Sequence, residues 1–96
     1  YRLTNSNIIT SSGSVEINAA VDNRSMIAGK TGLTINGSLA NSGTIVAGDN
    51  LTINASGSSI TNTGNITSLG SGTINFGSLT NNNIIQAVNK LTLNVY

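Results

Sequence analysis

The side chains that could perform acid–base or nucleophilic chemistry in this chain are few and scattered. The acids are Glu16, Asp22 and Asp49, and the chain contains no histidine and no cysteine. A catalytic nucleophile needs a base within hydrogen-bond reach, and thiolate or imidazole metal sites need Cys or His. No two of the three acids occupy matching positions in the repeat of the chain, so no carboxylate pair is predicted. We therefore expect no enzyme activity, no catalytic residue, no metal site and no cofactor.

The polar residues that recur at a regular spacing are threonine and asparagine. A Thr-x-Asn pair with apolar neighbours occurs three times, at Thr34/Asn36, Thr52/Asn54 and Thr92/Asn94. Alternate residues of a strand share one face, so stacked pairs would form a flat surface array of hydroxyl and amide groups. Such an array could order water or contact a glycan, although the preference of threonine for strands is the simpler explanation. Glu16 and the Asn75/Gly77 segment stand in place of the pair elsewhere, which predicts an interrupted row.

A second set of asparagines marks the period of the chain. Successive members are 18, 18, 21 and 19 residues apart, at Asn5, Asn23, Asn41, Asn62 and Asn81. Each has an aliphatic residue two places before it and an isoleucine four places after it. A fixed period near 20 residues is typical of solenoids, in which each repeat stacks on the next. We expect the five asparagines to form a structural ladder of stacked amides; the alternative is that asparagine merely suits a turn.

The elements that position these residues are predicted to be strands. Apolar and polar residues alternate within each repeat, and no repeat has the spacing of an amphipathic helix. Three short strands per repeat predict an all-β parallel β-helix (β-solenoid) of about five triangular rungs of 18–21 residues, with residues 1–96 as one segment. Each rung ends in a predicted inward pair, namely Val15/Ile17, Leu33/Ile35, Leu51/Ile53, Ile74/Phe76 and Leu91/Leu93.

The corners and the rung lengths lead to two more predictions. Gly or Asn stands two residues after most ladder asparagines, at Asn7, Gly43, Gly64 and Asn83. These residue types enter the left-handed backbone region at least cost, so we expect that conformation there. Extra length near the fourth rung predicts two surface insertions, one of three residues within 55–59 and one of two residues around 69–72.

Composition excludes several classes of partner. Asn, Ser, Thr and Gly make up 52 of the 96 residues, but abundant Ile, Val and Thr and a net charge of +1 argue against disorder. The four basic residues are spread along the chain and give no footprint for nucleic acid. No apolar run is long enough for a bilayer, and no signal peptide is evident. Neither end has a polar capping repeat, so we expect a slice of a longer solenoid, with flanking rungs or end-to-end self-association.

The run from Leu39 to Ile53, LANSGTIVAGDNLTI, resembles the repeat of filamentous haemagglutinin-type exoproteins, whose recurring phrase is close to L-x-N-x-G-x-I-x-A-G-x-x-L-x-L. The likeness extends over nearly the whole chain, with Ser11 and Gly13 in place of the Ala-Gly step in the first rung. It implies a right-handed β-helix, two-partner secretion through an outer-membrane pore, and a location that is secreted or on the bacterial outer surface. The Asn-Pro-Asn type secretion signature of the family is not present, since the chain has no proline. The resemblance therefore implies a shaft segment.

Three functions follow from these features. The first is the structural shaft of a large adhesin, whose full-length form contacts a glycan or protein on a host or neighbouring cell. The second is the stalk of a contact-dependent growth-inhibition exoprotein, which would carry a toxin domain after the repeats. The third is an ice- or glycan-binding solenoid that acts through the Thr-x-Asn face.

Overall fold

The computed structural model describes residues 2–96, which form thirteen β-strands. In chain order these are β1 (Arg2–Asn5), β2 (Ile8–Ser11), β3 (Ser14–Ile17), β4 (Ala20–Asn23), β5 (Met26–Gly29), β6 (Gly32–Asn36), β7 (Leu39–Asn41), β8 (Thr44–Ala47), β9 (Asn50–Asn62), β10 (Asn65–Ser68), β11 (Ser71–Asn81), β12 (Ile84–Ala87) and β13 (Lys90–Val95). Within residues 2–96 there is no helix, and so none that could cross a membrane.

The strands stack into three walls, each with one strand from every turn. The first wall contains β1, β4, β7 and the C-terminal parts of β9 and β11. The second wall is the separate five-stranded sheet β12-β10-β8-β5-β2. The third wall contains β3, β6, the N-terminal parts of β9 and β11, and β13. Every pair is parallel and joins one turn to the next, so the predicted all-β parallel β-solenoid of about five turns is confirmed.

The core is a set of stacked aliphatic rows inside the three walls. On the second wall Ile9, Ile27, Ile45, Ile66 and Ile85 pair in register, and the middle three are fully buried. On the first wall the row begins Leu3, Val21, Leu39 and Ile60. Period-two alternation places every second residue inward, and apolar neighbours above and below exclude water from each row.

The fourth turn differs from its predicted alignment on the third wall. Gly72 pairs with Leu51, and Ile74 pairs with Ile53 and with Leu93. The inward pair of this turn is therefore Gly72/Ile74, and the predicted pair Ile74/Phe76 is wrong by two residues. Phe76 is nevertheless buried. It takes the next inward position after Ile74 and pairs with Ala55 of the preceding turn.

The corrected register also changes where the extra residues lie. The insertion of three residues within 55–59 is confirmed, because Ile35 pairs with Ile53 while Leu39 pairs with Ile60. The predicted insertion around 69–72 is wrong, since Ser68 pairs with Ala47 and Gly72 with Leu51, which leaves equal spans between them. Relative to the second turn, one extra residue lies instead near the register shift between Phe76 and Ser78, because Ile74 and Leu79 occupy the positions of Ile35 and Leu39 with one more residue between them.

The predicted left-handed corners are also wrong. Among the residues described, positive φ angles occur only at Gly37 (φ 159°) and at Gly57 (φ 74°), which lies in the insertion. Gly43 and Gly64 are needed for space: a Cβ on Gly43 would overlap the carbonyl oxygen of Ser25, and one on Gly64 would overlap that of Gly43. The corners are held by side-chain amides from the asparagine ladder, so the backbone does not need to enter the left-handed region.

Candidate functional site

Five asparagines form a continuous hydrogen-bonded column inside the corner between the first and second walls, which we call the inner ladder. Its members are the five that share the period of the sequence: Asn5, Asn23, Asn41, Asn62 and Asn81. Each Nδ2 donates to the Oδ1 of the next member, at 2.9, 2.8, 2.8 and 2.9 Å in chain order. The first four side chains are buried, and the fifth is exposed in the last turn.

The inner ladder also satisfies the backbone of the corner. Asn41 shows the pattern, because its Nδ2 lies 3.2 Å from the carbonyl oxygen of Gly43 and 3.1 Å from that of Asn65 in the next turn. An asparagine amide has two N–H donors and two acceptor lone pairs, and these contacts occupy the donors of Asn41. Within residues 2–96 no buried side-chain nitrogen or oxygen lacks a partner. The inner ladder therefore stabilises the corner and offers no free group to a ligand.

The residues of the candidate surface array lie together on the outer side of the third wall. Thr34 pairs with Thr52, and Thr73 pairs with both Thr52 and Thr92. Thr73 therefore completes an unbroken row of four threonines, with Glu16 beyond Thr34 in the first turn. The predicted interruption at Asn75/Gly77 is wrong, because the register of β11 places Thr73 and Asn75 in the two outward positions.

The asparagines of the array form a second column, which we call the outer ladder. It contains Asn36, Asn54 and Asn94 together with Asn18 and Asn75, which the sequence reasoning did not include among the array residues. Here each Nδ2 donates to the preceding member, at 2.7, 2.8, 2.7 and 2.8 Å along the chain. Asn54 and Asn75 each keep one N–H and one lone pair for solvent or a ligand, whereas Asn36 Nδ2 also faces Glu16 Oε2. The sequence Thr73-Ile74-Asn75 repeats the Thr-x-Asn pattern and could have identified Thr73 and Asn75 as members of the array.

Asp22 and Glu16 lie on different walls and make separate polar contacts. Asp22 Oδ2 accepts hydrogen bonds from Arg24 Nε at 3.2 Å and Nη2 at 3.0 Å, and Arg2 Nη2 lies 3.8 Å away. Glu16 lies on the third wall, where its Oε2 is 3.5 Å from Asn36 Nδ2. In the part of the chain that the structure describes, no three His, Cys, Asp or Glu side chains form a group that could hold a metal ion. The ion pair of Asp22 is exposed, a setting in which such pairs contribute little to stability.

Two shallow depressions lie on the outer surface of the described residues. The larger one, of about 180 Å³, lies on the first wall over the small residues Ala20, Ser38 and Ala40, with Arg2 at its edge. It holds no acid, so it brings no acid–base pair together. Comparison of the chain with family models, curated proteins and solved structures gives no match. The fold and its side-chain columns define the class: a parallel β-solenoid with asparagine ladders.

Proposed function

We propose that this chain is a structural shaft segment of a large bacterial adhesin that is secreted or exposed on the outer cell surface. The observation that carries the proposal is unbroken repetition: every one of the five turns contributes an asparagine to both ladders. In a solenoid each repeat contacts only its neighbours, so length grows by about 4.8 Å per turn without a change in cross-section. A shaft needs this property.

The resemblance of Leu39–Ile53 to the filamentous haemagglutinin-type repeat supports the adhesin context. On this proposal the full-length protein passes through an outer-membrane pore partner and contacts a glycan or protein on a host or neighbouring cell. The shaft holds the contacting regions away from the bacterial surface. The finer family assignment rests on the repeat phrase alone.

Excision of one whole turn from the full-length protein tests the shaft proposal. Asn23 and Asn41 occupy the same position in neighbouring turns, so deleting residues 24–41 removes a complete turn. We expect unchanged folding, secretion and cell adhesion, with a shaft shorter by about 4.8 Å. Deletion of residues 24–36 is the control, because it removes β5 and β6 from the second and third walls and leaves β4 of the same turn in the first wall. Loss of adhesion in a folded, surface-exposed whole-turn variant would contradict the proposal.

Filamentous haemagglutinin-type repeats also form the stalks of contact-dependent growth-inhibition exoproteins. A growth-competition assay distinguishes such a toxin-delivery stalk from the shaft of an adhesin. Cells that carry the full-length protein are mixed with cells that lack it, and survival of the second population is measured. If removal of the region after the repeats rescues the second population, the shaft belongs to a toxin-delivery protein and the plain adhesin reading fails.

The completed threonine row favours a second candidate, an ice- or glycan-binding face on the third wall. The row repeats at the strand spacing of about 4.8 Å and consists of Thr34, Thr52, Thr73 and Thr92. Beside it lies the outer ladder, in which Asn54 and Asn75 have hydrogen-bonding groups that the ladder does not use. Such a surface presents hydroxyl, methyl and amide groups in a flat lattice.

Thermal hysteresis and a glycan array test this second candidate. Thr52→Lys places a long charged side chain in the middle of the row, while Thr61→Lys places the same change on the exposed side of the first wall. If the face binds ice or a glycan, Thr52→Lys abolishes the signal and Thr61→Lys retains it. Negative results with the unmodified protein in both assays remove this candidate.

A further inference from the structure

The chain contains a single Asn-Gly dipeptide, Asn36-Gly37, and its asparagine is the last residue of β6. In such a dipeptide the glycine backbone nitrogen attacks the asparagine Cγ with the least steric hindrance, because glycine has no Cβ. A bond forms between these two atoms, the Cγ–Nδ2 bond breaks, and ammonia leaves with the proton of the glycine N–H. Water then opens the cyclic imide to aspartate or isoaspartate. Asn36 is therefore the asparagine whose local sequence most favours deamidation.

The fold requires a glycine after Asn36. A Cβ on Gly37 would overlap the carbonyl oxygen of Ala19, because the backbones of the first two turns approach closely at the corner between the third and first walls. The other four asparagines of the outer ladder are followed by residues that carry a Cβ, namely Ala19, Ala55, Phe76 and Val95. The second turn cannot replace its reactive dipeptide with a less reactive one unless the backbone shifts.

The groups that would react are held by hydrogen bonds to both neighbouring turns. The attacking nitrogen, Gly37 N, donates to the carbonyl oxygen of Asn54 at 2.9 Å. The leaving nitrogen, Asn36 Nδ2, donates to Asn18 Oδ1 at 2.7 Å. Asn36 Oδ1 accepts from Asn54 Nδ2 at 2.8 Å. The attack on Cγ therefore requires a local opening that breaks contacts with the first and third turns.

Either product of deamidation conflicts with the closed arrangement. An aspartate at position 36 has no N–H for Asn18 Oδ1, and it brings a carboxylate to the place where Glu16 Oε2 lies 3.5 Å from the present Nδ2. Isoaspartate adds one methylene group to the main chain, which moves Gly37 from its close approach to Ala19. The modified second turn therefore closes less favourably than the original one.

From these contacts we propose that Asn36 is a modification site that the outer ladder protects. In the closed stack its deamidation is suppressed. When the corner between the third and first walls opens in the second turn, Gly37 N becomes free to attack, and the conversion to aspartate or isoaspartate is irreversible. The site thus records past opening of the stack. The inference depends on interior contacts between the first three turns and stands apart from the proposed adhesin function.

Peptide mapping by mass spectrometry tests the protection. The parent chain is incubated at neutral pH, either folded in buffer or unfolded in urea, and the loss of ammonia is followed at each asparagine. In urea Asn36 should react before the others. In buffer its rate should be at least about tenfold lower, because the reaction waits for local opening. Equal rates in the two conditions, or an earlier reaction at another asparagine in urea, would overturn the proposal.

Two matched variants test whether the ladder provides the protection. Asn18→Ala removes the acceptor of Asn36 Nδ2, whereas Asn94→Ala removes a ladder member that bonds only Asn75 in the ladder. Circular dichroism verifies that both variants are folded. Folded Asn18→Ala should deamidate at Asn36 about three- to tenfold faster than the parent chain, and Asn94→Ala should react at the parent rate. Equal rates in the two variants would show that the contact with Asn18 does not protect the site.

Substitution with the product tests the effect on closing. Asn36→Asp should raise the equilibrium constant for unfolding in urea by about tenfold, because a donor is lost and a carboxylate is added beside Glu16. Combining it with Glu16→Gln should recover about threefold at low salt, whereas Glu16→Gln alone should change the constant by less than about twofold. An Asn36→Asp variant as stable as the parent chain would contradict the proposal, since the modified turn would then close normally.

Discussion

Individual asparagines stabilise this fold because of the chemistry of the side-chain amide. Its N–H and C=O groups point in opposite directions along the stacking axis, so one amide can donate upward and accept from below. Asn41 does so while it also bonds the backbone of its corner, with almost no solvent exposure. Aspartate lacks the donor, and alanine lacks both groups. The fold therefore needs a side chain with both a donor and an acceptor at these positions, and polarity alone is not sufficient.

Replacing a buried ladder member tests this dependence. Asn41→Ala leaves Asn23 Nδ2, Asn62 Oδ1 and the carbonyl oxygens of Gly43 and Asn65 without their amide partner. We expect the free energy of unfolding to fall by about 2–4 kcal/mol, measured by urea denaturation with far-ultraviolet circular dichroism. Asn82→Ala removes an exposed amide outside both ladders and should change it by less than about 0.5 kcal/mol. Equal effects would show that the inner ladder does not contribute.

At the level of elements, the register of β11 decides what the third wall presents. Gly72 takes an inward position that leucine fills in the neighbouring turns, and Leu91 leans into the space it leaves. A Cβ on Gly72 would lie 3.3 Å from Leu91 Cδ1, which shows how closely that side chain approaches. The sequence alone therefore favours Ile74/Phe76 as the inward pair, because both residues are apolar. In the structure Gly72 and Ile74 occupy the two inward positions.

The register can be tested at two adjacent positions. Gly72→Asp places a carboxylate in the core and should lower the free energy of unfolding by about 3 kcal/mol or more. Ser71→Asp places the same group on the outer side and should cost less than about 1 kcal/mol. Thermal unfolding distinguishes the two. In the alignment with Ile74/Phe76 inward, Gly72 would lie in a corner, and both variants would be tolerated.

The inward assignment of the second wall is tested in the same way. Ile45 is fully buried between Ile27 and Ile66, so Ile45→Asp should unfold the segment at room temperature. Thr34→Ser removes one methyl group from the outer side of the third wall and should leave the melting temperature within a few degrees of the parent. Similar tolerance of both substitutions would reject the assignment.

The five turns measure 32 × 29 × 23 Å, so their stack forms a block without a long axis. Solenoids tolerate length changes where the chain leaves the stacked walls, and the insertion within 55–59 is such a place. Ser56, Gly57 and Ser58 are exposed, and the strands on either side keep their pairing. The insertion is therefore a surface addition to a regular stack.

Deletion of Ser56, Gly57 and Ser58 tests whether the stack depends on this insertion. The deletion spaces Ile53 and Ile60 as Ile35 and Leu39 are spaced, so we expect the free energy of unfolding to change by no more than about 1 kcal/mol. Deletion of residues 67–69 is the control of equal length. It removes Ser68, whose Oγ lies 2.6 and 2.8 Å from the carbonyl oxygens of Asp49 and Ser71 and can donate to either, and it should unfold the protein.

The sequence alone determined the period, the strand class, the inward rows of the first two walls and the members of the inner ladder. These properties are local, because alternation fixes which side a residue faces and the repeat fixes which residues meet. Only the tertiary structure decided the register of the fourth turn, and with it the continuous threonine row and the outer ladder through Thr73 and Asn75. Register depends on three walls pairing with both neighbouring turns at once, a condition that no single repeat contains. The corner conformation was decided non-locally as well, since amides bonded to the next turn hold it.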